Sequence, residues 1–218
     1  MDVVRVTGHS ADPSRVGEEG APLTLHTDRG DLRVALHDAP GSTRGVVWVY
    51  GAWGGLDGPA DAIYPLLSND LVSEEIASLR VDYRLPGNIE ESAADALAGV
   101  SFLVGLGCRS VALVGHSFGG AVVISAAPLS ADVKAVVTLS SQTAGARDAD
   151  LVSPRPLLLV HGEADKRLPP ICSQLIHQWA LEPKELVLYP GATHGLRQCK
   201  DQLRALLRDW LTRKLSAL

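Results

Sequence analysis

An α/β fold with a mostly parallel central sheet is predicted for this chain, and three observations predict it. Apolar runs of strand length recur at residues 45–51, 76–83, 110–114, 133–139, 156–160 and 185–189. Fully apolar runs of that length suit strands buried on both faces of a parallel sheet. Helix-compatible segments fill the intervals between these runs, and strands alternating with helices build α/β layers. Ahead of them, residues 23–26 and 32–37 flank Asp28-Arg29-Gly30-Asp31, which reads as an antiparallel hairpin. Right-handed crossovers place helices on both faces of such a sheet.

The elements follow in chain order. Residues 3–7 are expected as a short strand and residues 8–22, polar with glycine and proline, as a surface loop, so that 1–22 is peripheral. After the hairpin, the strand at 45–51 empties into Ala52-Trp53-Gly54-Gly55. Residues 60–75 carry a blurred helical pattern interrupted by Pro65. The strand at 76–83 precedes the clearest helix. Asn88 stands three residues before Glu91 as in a capping box, Ala93, Leu97, Val100 and Val104 share one face, and Gly105 and Gly107 end it. Ile171, Leu175 and Trp179 mark a further helix. Leu203, Leu206, Leu207, Trp210 and Leu211 mark an amphipathic last one.

The 218 residues show no break in composition, which predicts a single domain over 1–218. A net charge of −5 offers no basic face for nucleic acid. No apolar run is long enough to span a bilayer. Met1-Asp2-Val3-Val4-Arg5 lacks a basic segment followed by an apolar one, and Cys108, Cys172 and Cys199 have no metal or redox spacing. The expected location is therefore cytoplasmic. His-Glu-x-x-His and comparable clusters are missing, so neither a metal nor a cofactor is expected.

Chemistry concentrates at Gly115-His116-Ser117-Phe118-Gly119, where a strand turns into a helix. A tight strand–turn–helix lifts the Ser117 hydroxyl above the sheet and aims free helix N–H groups at the same spot. The plain alternative is a turn whose serine merely caps the helix. Functional groups of parallel sheets collect at strand carboxyl ends. Two such ends downstream carry His161-Gly162-Glu163-Ala164-Asp165 and Gly191-Ala192-Thr193-His194-Gly195. A serine, then an acid, then a histidine is the chain order of one nucleophilic triad. Glu163 is the competing acid. His116 and His161 read as structural, and His9, His26, His37 and His177 as surface or packing residues.

These three motifs resemble the nucleophile elbow, acid loop and histidine loop of the α/β-hydrolase superfamily, and the resemblance runs from about residue 23 to the end. The small size and Asp82-Tyr83-Arg84 look like its compact serine-esterase and dienelactone-hydrolase-like branches. The resemblance implies an α/β-hydrolase fold in which Ser117, Asp165 and His194 are catalytic. It also implies an oxyanion hole from the backbone N–H of Phe118 and of Ala52, with Trp53 as the alternative to Ala52. Trp53 and Gln142 are candidate pocket residues. Many relatives carry His-Gly where this chain has Tyr50-Gly51. Dienelactone-cleaving members often use cysteine where Ser117 stands. The connection 142–155 is too short for the cap domain of larger members, so an open site is expected. The expected activity is hydrolysis of small to medium acyl esters or thioesters, with lactones as an alternative and a silent binding or scaffold protein as another.

Overall fold

The computed structural model describes residues 4–12 and 19–216, and its apolar runs assemble into one nine-stranded sheet. The strands are β1 (Val6–Ala11), β2 (Ala21–Thr27), β3 (Gly30–His37), β4 (Arg44–Val49), β5 (Ile76–Asp82), β6 (Ser110–His116), β7 (Val133–Leu139), β8 (Leu157–Gly162) and β9 (Lys184–Tyr189). The helices are α1 (Pro59–Val72), α2 (Ile89–Gly105), α3 (Phe118–Ala126), α4 (Ile171–Trp179) and α5 (Lys200–Ser216). Strand order is β1-β2-β3-β5-β4-β6-β7-β8-β9. The pairs from β1 to β3 and the β3–β5 pair are antiparallel, while β5, β4, β6, β7, β8 and β9 run parallel.

That order creates the site. From β4 the chain moves outward to β5, then crosses back to β6 and continues to β9 on the other side. The loops after β4 and β6 therefore diverge, leaving a crevice at their carboxyl ends, where ligands of open α/β sheets bind. Ala52 and Ser117 lie on these two loops.

Side-chain alternation splits the core between the faces. Val47 and Val49 of β4 and Leu113 of β6 pack with α2 and α3 on one face. Val46 and Trp48 of β4 and Ala112 and Val114 of β6 pack with Ile63 and Leu67 of α1 and Leu207 and Trp210 of α5 on the other.

Three local outcomes differ from the sequence reading. The first strand is shifted: β1 spans Val6–Ala11, so Val6 and Thr7 fall in the segment expected as strand and residues 8–11 in the one expected as loop. It is a largely exposed edge strand, bulged between Val6 and Gly8, so its polar residues carry no core signature. Val3, and residues 13–18 of the expected loop, lie outside the described residues.

Pro65 does not interrupt α1. Ala60, Asp61 and Ala62 have left-handed backbone angles (φ 52°, 55° and 63°), so right-handed helix starts only after them. Pro65 thus falls in the first right-handed turn, where its missing N–H has no helical partner to lose.

The capping box is half made. Asn88 Oδ1 accepts the Glu91 N–H at 3.0 Å, but the Glu91 carboxylate pairs with Arg29 (3.0 Å) and Arg84 (3.1 Å) instead of returning to Asn88. Arg84 also binds the fully buried Asp95 through its side chain and, at 2.8 Å, its N–H. These contacts tie α2 to the loop after β5. Between β7 and β8 the only helical element among the described residues is the 3₁₀ turn Ala149–Val152, and no cap domain is present.

Candidate active site

The turn from β6 into α3 depends on two glycines. A Cβ on Gly115 would overlap the Gly119 carbonyl, and one on Gly119 would overlap the Tyr50 carbonyl oxygen at the end of β4. Side chains at either position would force strand, helix and neighbouring strand apart. Ser117 sits at the tip with φ 57° and ψ −116°, a sparsely populated conformation for a side-chain-bearing residue that costs of order 1–3 kcal/mol. Its backbone is over-determined. The N–H donates to the Leu139 carbonyl at 2.8 Å, and the carbonyl accepts from Gly120 at 3.1 Å.

The serine makes no side-chain cap for α3, which separates it from the plain capping alternative. Instead its Oγ lies 3.1 Å from His194 Nε2, and His194 Nδ1 lies 2.7 Å from Asp165 Oδ2. The three side chains arrive from the ends of β6, β8 and β9. Glu163 is exposed, its N–H donating to the Tyr189 carbonyl at 3.0 Å. It is Asp165 that reaches the imidazole.

Asp165 is buried and held from several sides. Oδ1 accepts the N–H groups of Arg167 (2.8 Å) and Leu168 (3.0 Å). Burial pushes its acidity down, yet the Leu168 amide, His194 and the Arg167 amide together hold the carboxyl below its ordinary pKa. The result is a carboxylate that accepts the His194 Nδ1–H and leaves the Nε2 lone pair facing Ser117.

Several groups that the sequence reading left out of the site support it. His116 Nε2 donates to the His194 carbonyl oxygen at 3.0 Å, which assigns the hydrogen to Nε2. Burial holds this ring neutral, lowering its pKa to about 3. Tyr83 donates its hydroxyl to the Tyr50 carbonyl (3.1 Å), and Tyr64 donates to the Val49 carbonyl (3.0 Å). Two tyrosines thus anchor the end of β4 just before Ala52. The left-handed turn that opens α1 braces the histidine loop: the Ala60 N–H donates to the Gly195 carbonyl at 2.8 Å and Asp61 pairs with Arg197 at 2.7 Å. None of these contacts has a local sequence signature. The strand-end rule reaches His116, at the end of β6, and Tyr83, just after β5, without saying what either contacts.

The remaining candidates are scattered around the crevice. Phe118 is buried, its ring 5.8 Å from that of Tyr83. Trp53 is 87% exposed. Gln142 turns its amide back to the Ala144 carbonyl at 2.9 Å. A cavity of about 500 Å³ beside His194 is lined by residues that include Tyr50, Asp57, Asp61, Thr193 and Arg197, and by neither Trp53 nor Gln142. Among the described residues, no group of three His, Cys, Asp or Glu could hold a metal ion, and no helix is long and apolar enough to cross a membrane.

Comparison with known proteins gives three kinds of likeness. A family model described as the dienelactone hydrolase family matches residues 73–207. The uncharacterized protein YfhR of Escherichia coli is 49% identical over 43 residues, a match spanning 20% of this chain and only 15% of that relative. Among solved structures, Est1E from Butyrivibrio proteoclasticus superposes with a TM-score of 0.77 at 19% identity, covering 89% of this chain and 99% of that one. A dienelactone hydrolase from Anabaena variabilis gives 0.76 at 20% identity, covering 95% and 98%. At these identities the structural likeness is one of fold, and that fold is the α/β-hydrolase fold.

Proposed function

The chain belongs to the dienelactone hydrolase family, and we propose that it is a serine hydrolase, cleaving carboxylic esters, thioesters or lactones of small to medium acyl groups through an acyl-enzyme. The observation that carries this reading is the unbroken line from Ser117 Oγ through His194 to Asp165, at 3.1 and 2.7 Å, on a serine whose hydroxyl caps nothing.

In the proposed reaction His194 Nε2 takes the Ser117 proton as Oγ attacks the carbonyl carbon. The same nitrogen then returns the proton to the leaving oxygen or sulfur. Asp165 keeps the imidazole in the Nδ1–H tautomer and stabilises the imidazolium. The oxyanion is received by the backbone N–H groups of Phe118 and Ala52, each contributing about 3 kcal/mol to transition-state stabilisation. Water activated by His194 releases the acyl group. The short connection between β7 and β8 leaves the crevice open, which suits varied acyl groups of modest size. No cofactor enters the scheme, and the proposed setting is cytoplasmic.

Reaction with a fluorophosphonate probe tests the reading directly. Labelling is expected in the wild type and absent in Ser117→Ala, together with turnover of p-nitrophenyl acetate. A wild type that neither labels nor turns over any ester, thioester or lactone would point to a silent hydrolase-fold protein. Family membership favours lactones as a second substrate class. A dienelactone assayed beside p-nitrophenyl esters and acyl thioesters ranks the classes by kcat/KM.

A further inference from the structure

The triad as described makes no use of His161, although its ring is completely buried at the end of β8, four residues before Asp165. Three polar atoms surround that ring. Nε2 lies 2.8 Å from the Leu168 carbonyl oxygen and 3.2 Å from Asp165 Oδ2, and Nδ1 lies 2.7 Å from Ser173 Oγ. A carbonyl can only accept, so Nε2 carries the hydrogen and Nδ1 accepts from the Ser173 hydroxyl. Asp165 Oδ2 therefore meets the His194 Nδ1–H at 2.7 Å on one side and, on the other, His161 Nε2 at 3.2 Å, whose single hydrogen goes first to the Leu168 carbonyl at 2.8 Å and has Oδ2 as its secondary acceptor. Its companion Oδ1 is filled by the amides of Arg167 and Leu168.

We infer that His161 is a positioning residue for the reaction: its Nε2–H locks the rotation of the Asp165 carboxylate and shares Oδ2 with His194. The inference rests on the serine-triad reading above. A carboxylate oxygen with one donor presents more negative charge to that donor than an oxygen with two. Removing the His161 N–H therefore strengthens the hold of Asp165 on a protonated His194. It also frees the carboxylate to turn away. The first effect moves the acid limb of the pH–rate profile to higher pH, and the second lowers the plateau.

Other groups facing the pair keep one charge state across the working range. The His116 ring, 4.9 Å from that of His194, is held neutral by burial with a pKa of about 3. Burial likewise favours neutral His161, against the opposing pull of Leu168 and Asp165. Cys172 of α4 faces Asp165 with its thiol pushed above the ordinary range by burial. Arg167 in the acid loop is a fixed cation, as is Arg197 beyond the histidine loop, where Asp61 pairs with it. The acid limb thus reports the His194–Asp165 pair.

The test compares kcat/KM for p-nitrophenyl acetate from pH 5 to 9 in the wild type, His161→Leu, His161→Gln and Ser173→Ala, with thermal melting of each. His161→Leu should move the acid-limb midpoint up by about 0.5 pH unit, a roughly threefold loss at a fixed pH on the limb. His161→Gln offers an amide N–H to the same acceptors and should restore the midpoint. Ser173→Ala removes a buried hydrogen bond but leaves the Nε2–H in place, so it should melt lower with the limb unmoved. A folded His161→Leu with an unmoved limb overturns the inference, as does Ser173→Ala moving it equally. If His161→Leu fails to fold, ¹⁵N histidine spectra of the wild type decide. A neutral Nε2–H ring at position 161 from pH 5 to 8 supports the inference, and an Nδ1–H or protonated ring overturns it. Fluorophosphonate labelling of the wild type keeps the two levels apart. An unlabelled Ser117 removes the triad reading itself, whereas a labelled one with an unmoved limb removes only the role of His161.

Discussion

Gly119→Ala is the substitution on which the geometry of the elbow can be tested hardest. A Cβ there would overlap the Tyr50 carbonyl oxygen, stand 3.0 Å from the Val49 carbonyl oxygen and 3.1 Å from the Tyr83 hydroxyl. Two of the three are backbone atoms of β4's carboxyl end, fixed by the Tyr64 and Tyr83 hydrogen bonds, so they cannot turn aside. Overpacking of this kind costs about 1–3 kcal/mol. For a chain of this length that corresponds to a fall in Tm of roughly 2–12 °C. Catalysis should suffer more. Relief requires the elbow to back away from β4, separating the Phe118 and Ala52 N–H groups by a fraction of an ångström to an ångström, and misplacement of about 1 Å costs ~10²-fold. The assay pairs thermal melting with kcat for p-nitrophenyl acetate. Gly105→Ala in α2, where a Cβ meets nothing within 4 Å, is the control and should be neutral or slightly stabilising. Gly119→Ala with unchanged Tm and kcat would refute the close approach of elbow and β4.

Other expectations are as concrete. Ser117→Ala and His194→Ala should each abolish most of kcat with the fold retained, and the double variant should be little worse than either, since the groups act as one unit. Asp165→Asn should cost about 10⁴ in kcat by favouring the wrong imidazole tautomer, while Glu163→Gln should leave turnover near the wild type. The reverse result would reassign the acid. Stability should also fall with acid, on account of two buried histidines. Burial chiefly depresses the pKa of His116 to about 3 and of His37 to about 4, from 6.5. Between those values and 6.5 the unfolded chain binds more protons, so stability is full above pH 6.5 and declines as pH falls toward 4. Each group contributes up to about 1.4 kcal/mol per pH unit. Denaturant midpoints that stay constant from pH 7 to 4.5 would contradict the buried neutral state of both rings.

The parallel sheet was legible because its strands are apolar on both faces, and burial on both faces erases the need for polar alternation. Val46 to Val49 and Val111 to Val114 feed opposite cores residue by residue, and all are buried. Ser117, Asp165 and His194, which the structure brings within hydrogen-bond reach of one another, could be singled out for a related reason. Strand ends in such a sheet converge, so reading only the residues that follow each run reduces the search to a few loops. The first strand, expected at 3–7, was misplaced in its bounds because β1 is an edge, with only half-exposed Val6 and polar or small neighbours to mark it. Its place comes from pairing with β2 and from two side contacts, Val6 on the core and the His9 ring 5.3 Å from that of Phe102, neither of which makes an apolar run.

What escaped at the site has a different cause. The groups that hold the triad act on backbone atoms or on one another across the sheet: His116 on the His194 carbonyl, Tyr83 on the Tyr50 carbonyl, Ala60 on the Gly195 carbonyl. A carbonyl is supplied by every residue, so the acceptor side of such a contact leaves no trace in residue types. The donor side leaves only a histidine or tyrosine in an apolar context, which is also how an ordinary packed ring looks. Left-handed alanines at positions 60 and 62 violate local preference outright, and the contacts of this turn with the histidine loop offset that cost. Local rules fail where tertiary contacts outweigh them, and here that place is the wall of the proposed active site.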